Sequence, residues 1–215
     1  MSGGAPAAAD DWLPELPCAI GEIVVARDSS GDFTLYHRDD IARADLTSQR
    51  GADAAAEIAR YDDAWNFRPL KTAPNLRHGW RLLLSTSGEV RDALDLFYPG
   101  RLAAFFAWQK ARLSTTPFRQ TLERQTGMYR AAAKISDAQA NELIGNFCRS
   151  DGGCLRTILW RRDAAGAAPS TLLPAQKSDP THDQLGRGAR GIPLLCQEIC
   201  NLLVAEARAV VKAGE

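Results

Sequence analysis

The sequence predicts an α+β chain, with a small N-terminal domain of hairpin and helices followed by a mainly helical domain. Three observations carry this. Two β-rich runs, Glu22 to Arg27 and Phe33 to Arg38, flank the turn-forming Asp28-Ser29-Ser30-Gly31-Asp32. Two capping-box signatures, Thr86-x-x-Glu89 and Ser136-x-x-Gln139, each stand before an amphipathic run. Four of the five cysteines fall in the last third of the chain, where apolar residues recur at helical spacing.

The elements follow in order. Residues 1–17, rich in Ala, Gly and Pro, read as a flexible tail. The hairpin comes next, then a helix over about 51–61 from its Ala-rich composition, and a strand at Trp80 to Leu84. Glu89 to Phe97 is helical behind Thr86, and Arg101 to Leu113 behind Pro99. Thr116-Pro117 starts another helix that stops by Gly127. Ser136 opens a helix whose apolar face, Ala140, Leu143, Ile144 and Phe147, runs into Cys148. Leu155 to Trp160 reads as a strand, and residues 163–190 as a long Ala/Gly/Pro-rich loop. Gly191-Ile192-Pro193 reads as a helix start with Pro at the first helical position. The domains expected are 18–115, an α+β unit, and 116–215, with 163–190 as a loop inside it.

At 215 residues, 45% hydrophobic and 24% charged, the composition is that of a globular protein. Its 26 basic residues are balanced by 26 acidic ones and dispersed among them, so no nucleic-acid or anionic-membrane partner is expected. No apolar run reaches membrane-spanning length. Met1 is followed by no basic-then-apolar leader, which makes a cytoplasmic, thiol-reducing location the expectation. Clustered cysteines there point to ligands before disulfides.

The spacing is Cys148-x5-Cys154, a gap of 41 residues, then Cys196-x3-Cys200. Structural zinc is usually gripped by C-x2-C pairs, because four sulfurs at ~2.3 Å from one small ion must lie close together. If the run from Ile192 is helical, Cys196 and Cys200 are an i,i+4 pair with Cβ atoms about 5–6 Å apart, a span that suits the corners of a cuboidal 4Fe-4S cluster better. Arg149 and Arg156 flank the first pair and would offset the cluster's negative charge. Gly152-Gly153 would let Cys154 reach back to the same metal. The bland alternative is that buried cysteine serves as a small hydrophobe, as Cys200 could beside Ile199, Leu203, Ala207 and Val210. Four in two short pairs favour a metal site; Cys18, alone beside Pro17, reads as structural.

The segment Arg68 to Trp80 is stiffened by two prolines and presents Arg68, Lys71, Arg77 and His78. Arg68, Lys71 and Arg77 would suit the carboxylates or phosphates of an anionic ligand. The competing reading is a solvated loop that packs its leucines on the sheet. His37, His78 and His182 lack HxxxH or HxxE spacing and read as structural or exposed.

The chain resembles the C-terminal part of multidomain proteins related to the sirohydrochlorin cobaltochelatase family. The residues that carry the resemblance are Arg68 to Leu76 with Trp80, Ala93-Leu94-Asp95 through Tyr98-Pro99-Gly100, and Gly127-Met128-Tyr129. Cys148 with Cys154-Leu155-Arg156 and Leu159-Trp160, then Ile192-Pro193 through Cys196 and Cys200, continue it. The resemblance implies a stabilising domain followed by a 4Fe-4S domain on Cys148, Cys154, Cys196 and Cys200. No segment reads as the tandem chelatase domains of those proteins, so their metal-insertion chemistry attaches to no residue here.

No self-contained catalytic constellation is evident. The function expected is 4Fe-4S binding for electron transfer or redox sensing, serving a redox or chelatase-type protein partner in tetrapyrrole or cobalamin-type metabolism. A subunit of a tetrapyrrole-processing enzyme, with a tetrapyrrole on the basic loop, and a zinc-stabilised interaction module are the alternatives.

Overall fold

In the computed structural model the described residues are 12–13, 15–68, 76–148, 157–158, 190–192 and 194–215. The fold is mixed α+β and divides into two compact units: the first comprises 1–71, 75–102 and 182–192, the second 72–74, 103–181 and 193–215.

The first unit is built on a six-stranded sheet. Its strands are β1 (Cys18–Ile20), β2 (Ile23–Arg27), β3 (Phe33–His37), β4 (Thr47–Arg50), β5 (Trp80–Leu84) and β7 (Arg190–Ile192), in the spatial order β4-β5-β3-β2-β1-β7. The expected hairpin is β2–β3, with Ile23 opposite His37 and Arg27 opposite Phe33. Its turn works as the residues suggest. Asp28 Oδ1 accepts the amides of Ser30 and Asp32 at 2.9 and 3.1 Å, and Gly31 takes the left-handed φ of +90° that a side chain would resist.

Strand β5 alternates buried Trp80, Leu82 and Leu84 with half-buried Arg81 and Leu83, the period-two pattern of a sheet with one face covered. That face packs against α2 (Ser87–Phe97), which buries Val90, Ala93, Leu94 and Phe97. Trp80 and Phe97 stack with ring centroids 5.1 Å apart. Both capping-box bonds of α2 are made: Thr86 Oγ1 accepts the Glu89 amide at 3.1 Å and Glu89 Oε2 accepts the Thr86 amide at 3.2 Å. Helix α1 (Ala54–Ile58) is shorter than the run expected for it. Helix α3 (Arg101–Gln109), which belongs to the second unit from residue 103 onward, also stops early, before Ala111, whose φ of +52° is incompatible with helix.

Three strands of this sheet, β1, β4 and β7, were not anticipated. Strand β1 pairs antiparallel with β2, polar β4 (Thr-Ser-Gln-Arg) joins β5 in parallel, and β7 joins β1 in parallel. Strands β4 and β7 are held by ladder bonds to a distant partner rather than by their own composition.

The second unit is mainly helical. It contains α4 (Phe118–Glu123), a 3-10 run at Gly127–Lys134, α5 (Asp137–Cys148), the two-residue strands β6 (Thr157–Ile158) and β8 (Leu195–Cys196), and α6 (Asn201–Ala213). The Ser136 capping box is formed, with Gln139 N donating to Ser136 Oγ at 3.2 Å and Ser136 N to Gln139 Oε1 at 3.0 Å. One apolar core joins Phe118 and Leu122 to Ile135, Ala140, Ile144, Leu203, Val204, Ala207 and Val211. Arg119 ties α4 to the start of α5 by donating to Ile135 O at 2.7 Å and to the Asp137 carboxylate. No helix of the described residues is long and apolar enough to cross a membrane.

Candidate metal centre

Three of the four paired cysteines are described, and they sit on three elements of the second unit. Cys148 is the last residue of α5, Cys196 ends β8, and Cys200 is the N-cap of α6. All three belong to or pack against the same apolar core, where Cys148 and Cys196 are 9% and 8% exposed and Cys200 is half-buried. Cys154 and Arg156, with Gly152 and Gly153, lie outside the described residues, as does Arg149.

Each element explains its cysteine's place. Helix α5 delivers Cys148 because its buried positions Ala140, Ile144 and Cys148 recur every four residues. Strand β8 is fixed by parallel pairing with β6, Thr157 to Leu195 and Ile158 to Cys196. The pairing therefore joins the segment just after Cys154 in sequence to the one that carries Cys196. Two further bonds anchor this stretch: Thr116 N donates to Gln197 O at 3.1 Å and Gln197 Nε2 to Ser114 O at 3.3 Å.

The local geometry around Cys196 and Cys200 corrects one expectation. Pro193 lies outside the described residues, and no helix begins in the seven residues that follow it. The chain runs as strand through Ile192 and again at Leu195–Cys196, and α6 begins only at Asn201. Cys196 and Cys200 are therefore not an i,i+4 helical pair. β-strand pairing on both sides of Pro193 outweighs the preference of Pro for a first helical turn. Cys200 instead caps the helix: its backbone is extended (φ −87°, ψ 162°), and Sγ accepts the Leu203 amide at 3.5 Å. A helix N-terminus favours negative charge at that sulfur, which is what a thiolate ligand carries. Cys196 Sγ donates to Glu198 O at 2.9 Å.

The donor set fits an iron-sulfur cluster. The described thiols form no disulfide, and three of them belong to or pack against one apolar core. Cys18 stands apart in the first unit on β1, 1% exposed, its thiol pushed up to about 12 by burial. It is a structural cysteine in an apolar setting, as its isolation in the sequence suggests.

The basic loop is used differently from the expectation. Arg68 is 2% exposed and turned inward, its Nη2 3.6 Å from Glu22 Oε2 and its Nη1 donating to Ala59 O at 3.3 Å. A buried carboxylate recruits it, so its guanidinium does not face an exposed anion pocket. Arg77 lies over the Trp65 ring at 5.0 Å. Lys71 is outside the described residues, as is His182. His37 and His78, unremarkable by spacing, come together with ring centroids 3.9 Å apart. Only tertiary structure joins them, and no local motif could have announced it.

Residues 110–209 match the 4Fe-4S iron-sulfur cluster binding domain, and residues 5–109 match the DR2241 stabilising domain. The chain thus consists of a DR2241-type stabilising domain followed by a 4Fe-4S cluster-binding domain, and its cofactor is a 4Fe-4S cluster. Among solved structures it is similar to DR2241 from Deinococcus radiodurans, with 28% identity and a TM-score of 0.72 over 94% of this chain. That protein is described as multi-domain, with structural similarity to chelatases and two additional novel domains, and this chain spans 39% of it. No curated protein matches the chain.

Proposed function

We propose that Cys148, Cys154, Cys196 and Cys200 hold the 4Fe-4S cluster, and that the protein uses it to pass electrons to, or sense redox state for, a protein partner. The observation that supports this most is the gathering of Cys148, Cys196 and Cys200 from three separate elements into one apolar core. When bound, the cluster supplies one-electron redox chemistry. The residues around it restrict water: Ile144, Ile199 and Leu203 are buried in that core, and a low-dielectric surround tunes a cluster's potential. The Cys200 thiolate is steadied by the first turn of α6, through the Leu203 amide.

Tetrapyrrole metabolism is the proposed setting and the cytoplasm the proposed location. Support for the setting is the 28% identity to a protein with chelatase similarity. A tetrapyrrole-processing enzyme, of which this chain would be the redox or stabilising part, is the second reading on the same ground. With Arg68 committed to Glu22, a carboxylated tetrapyrrole would have to be held by other cations of the loop.

The test is anaerobic reduction. Purified protein should be brown, bleach on one-electron reduction, give the EPR signal of a reduced 4Fe-4S cluster, and recover on reoxidation. A cluster that cannot be reduced, or that is destroyed in one cycle, would remove the redox role. Binding of a carboxylated tetrapyrrole in a direct titration supports the second reading, and its absence at millimolar ligand counts against it.

A further inference from the structure

The first unit contains a second group of metal-ligating side chains, remote in sequence from the cysteines. His37 ends β3, Asp39 follows it in a 3-10 turn (Arg38–Asp40), and His78 precedes β5. One donor atom from each of the three lies within 4.8 Å of the other two. A tetrahedral ion with bonds of ~2.0–2.2 Å needs donors roughly 3.4 Å apart, so binding requires the two rings, now with centroids 3.9 Å apart, to splay and Asp39 to rotate inward.

We infer that His37, Asp39 and His78 form a binding site for one divalent transition-metal ion, of which Zn²⁺ is the best match. The hydrogen bonds around the two rings carry the argument. His37 Nε2 lies 3.4 Å from Glu22 Oε1, while its Nδ1 accepts the Asp39 amide at 3.2 Å. Both partners place the proton on Nε2, so Nδ1 bears the lone pair; an ion would have to take that lone pair from the Asp39 amide, with Asp39 Oδ2 3.7 Å from the same nitrogen. His78 repeats the arrangement. Its Nε2 is 3.1 Å from Asp63 Oδ2, and its Nδ1 stands 3.9 Å from Asp40 Oδ1, beyond hydrogen-bond distance.

Each imidazole thus has a carboxylate behind Nε2 and leaves Nδ1 as its ligating nitrogen once the Asp39 amide is displaced from His37, the carboxylate–histidine–metal arrangement that orients metal-binding rings and raises their basicity. Asp40 is not a competing ligand, because its oxygens are engaged by the Gly79 amide at 2.7 Å and by Arg43 Nη1 at 3.1 Å. The second oxygen of Asp39 faces Arg38 Nε at 3.8 Å. Burial is graded across the set: His37 is buried, His78 intermediate and Asp39 exposed, which gives an ion a path from solvent to a pre-oriented ring. Two imidazoles and one carboxylate suit Zn²⁺ and leave a fourth position for water.

The chain has three histidines, which makes a localised test direct. The full-length, cluster-loaded protein is labelled with ¹⁵N-histidine and titrated with Zn²⁺, and the ring nitrogens are followed by NMR. The inference expects the Nδ1 resonances of His37 and His78 to shift together to a 1:1 end point, with His182 unmoved. His78→Gln and Asp39→Asn, neither at a fully buried position, should each raise the zinc concentration needed to shift His37 by tenfold or more. Asp63→Asn should raise it about tenfold, as loss of a carboxylate behind a ligating ring does. Unmoved His37 and His78 resonances in the wild type would overturn the site, as would a His37 shift that survives both ligand variants.

Discussion

Arg68→Met separates the two uses of the basic loop. If Arg68 held an anionic ligand at the surface, its loss would cost binding and leave stability nearly unchanged. In the structure it neutralises Glu22, a carboxylate 3% exposed, at 3.6 Å. Removing one partner of a buried pair costs about 3–5 kcal/mol, because an uncompensated charge stays inside. Glu22 keeps the Leu76 amide at 3.2 Å and His37 Nε2 at 3.4 Å, which places the cost near the lower end. At about 1.4 kcal/mol per tenfold, protection of the β3 and β5 amides against hydrogen exchange should fall by roughly two orders of magnitude or more. The double variant Glu22→Gln with Arg68→Met should recover most of this, since no buried charge is then left alone. Protection within threefold of wild type in Arg68→Met would refute the reasoning and return Arg68 to the surface.

Tyr98→Phe removes the hydroxyl that accepts the buried Glu22 amide at 2.8 Å, and should cost about 1–3 kcal/mol in denaturant unfolding. For Cys18 the sign of the pH effect follows from burial: the folded thiol keeps its proton to about 12, whereas the exposed one ionises from 9.0. Between those values the unfolded chain binds fewer protons, so stability falls as pH rises, and Cys18→Ala should flatten that fall in unfolding curves taken from pH 8 to 11. Loss of the cluster should loosen α5 and α6 to hydrogen exchange while protection of the β2–β3–β5 strands persists, because metal-ligand bonds tie only the second unit together.

What could be read from the sequence was chemistry confined to a few neighbouring residues. Thr86 with Glu89 and Ser136 with Gln139 satisfy their own helix starts, so both caps were legible. The Asp28 to Asp32 turn and the strand at Trp80 to Leu84 were legible for the same reason. Strands β4 and β7 were not, since four polar residues, or the Arg-Gly-Ile beside Pro193, become strand only through a distant partner. The start of α6 was misplaced because proline at a first turn is a weak local preference, and pairing of β7 and β8 overrides it. Arg68 looked like a surface cation because nothing local shows that Glu22, forty-six residues earlier, is buried and needs it. The cysteine pairs stand out by spacing alone, but the helical geometry expected of Cys196 and Cys200 is not the one the fold uses.

The measurement that bears most directly on the ligand assignment is iron and acid-labile sulfide content, determined anaerobically on wild type and single-cysteine variants. The account predicts about four iron and four sulfide per chain in wild type and in Cys18→Ser. It predicts a lost or crippled cluster in Cys148→Ser, Cys154→Ser, Cys196→Ser and Cys200→Ser. A full complement of iron and sulfide in Cys154→Ser or Cys200→Ser, or loss of the cluster in Cys18→Ser, would contradict the assignment of Cys148, Cys154, Cys196 and Cys200 as its ligands.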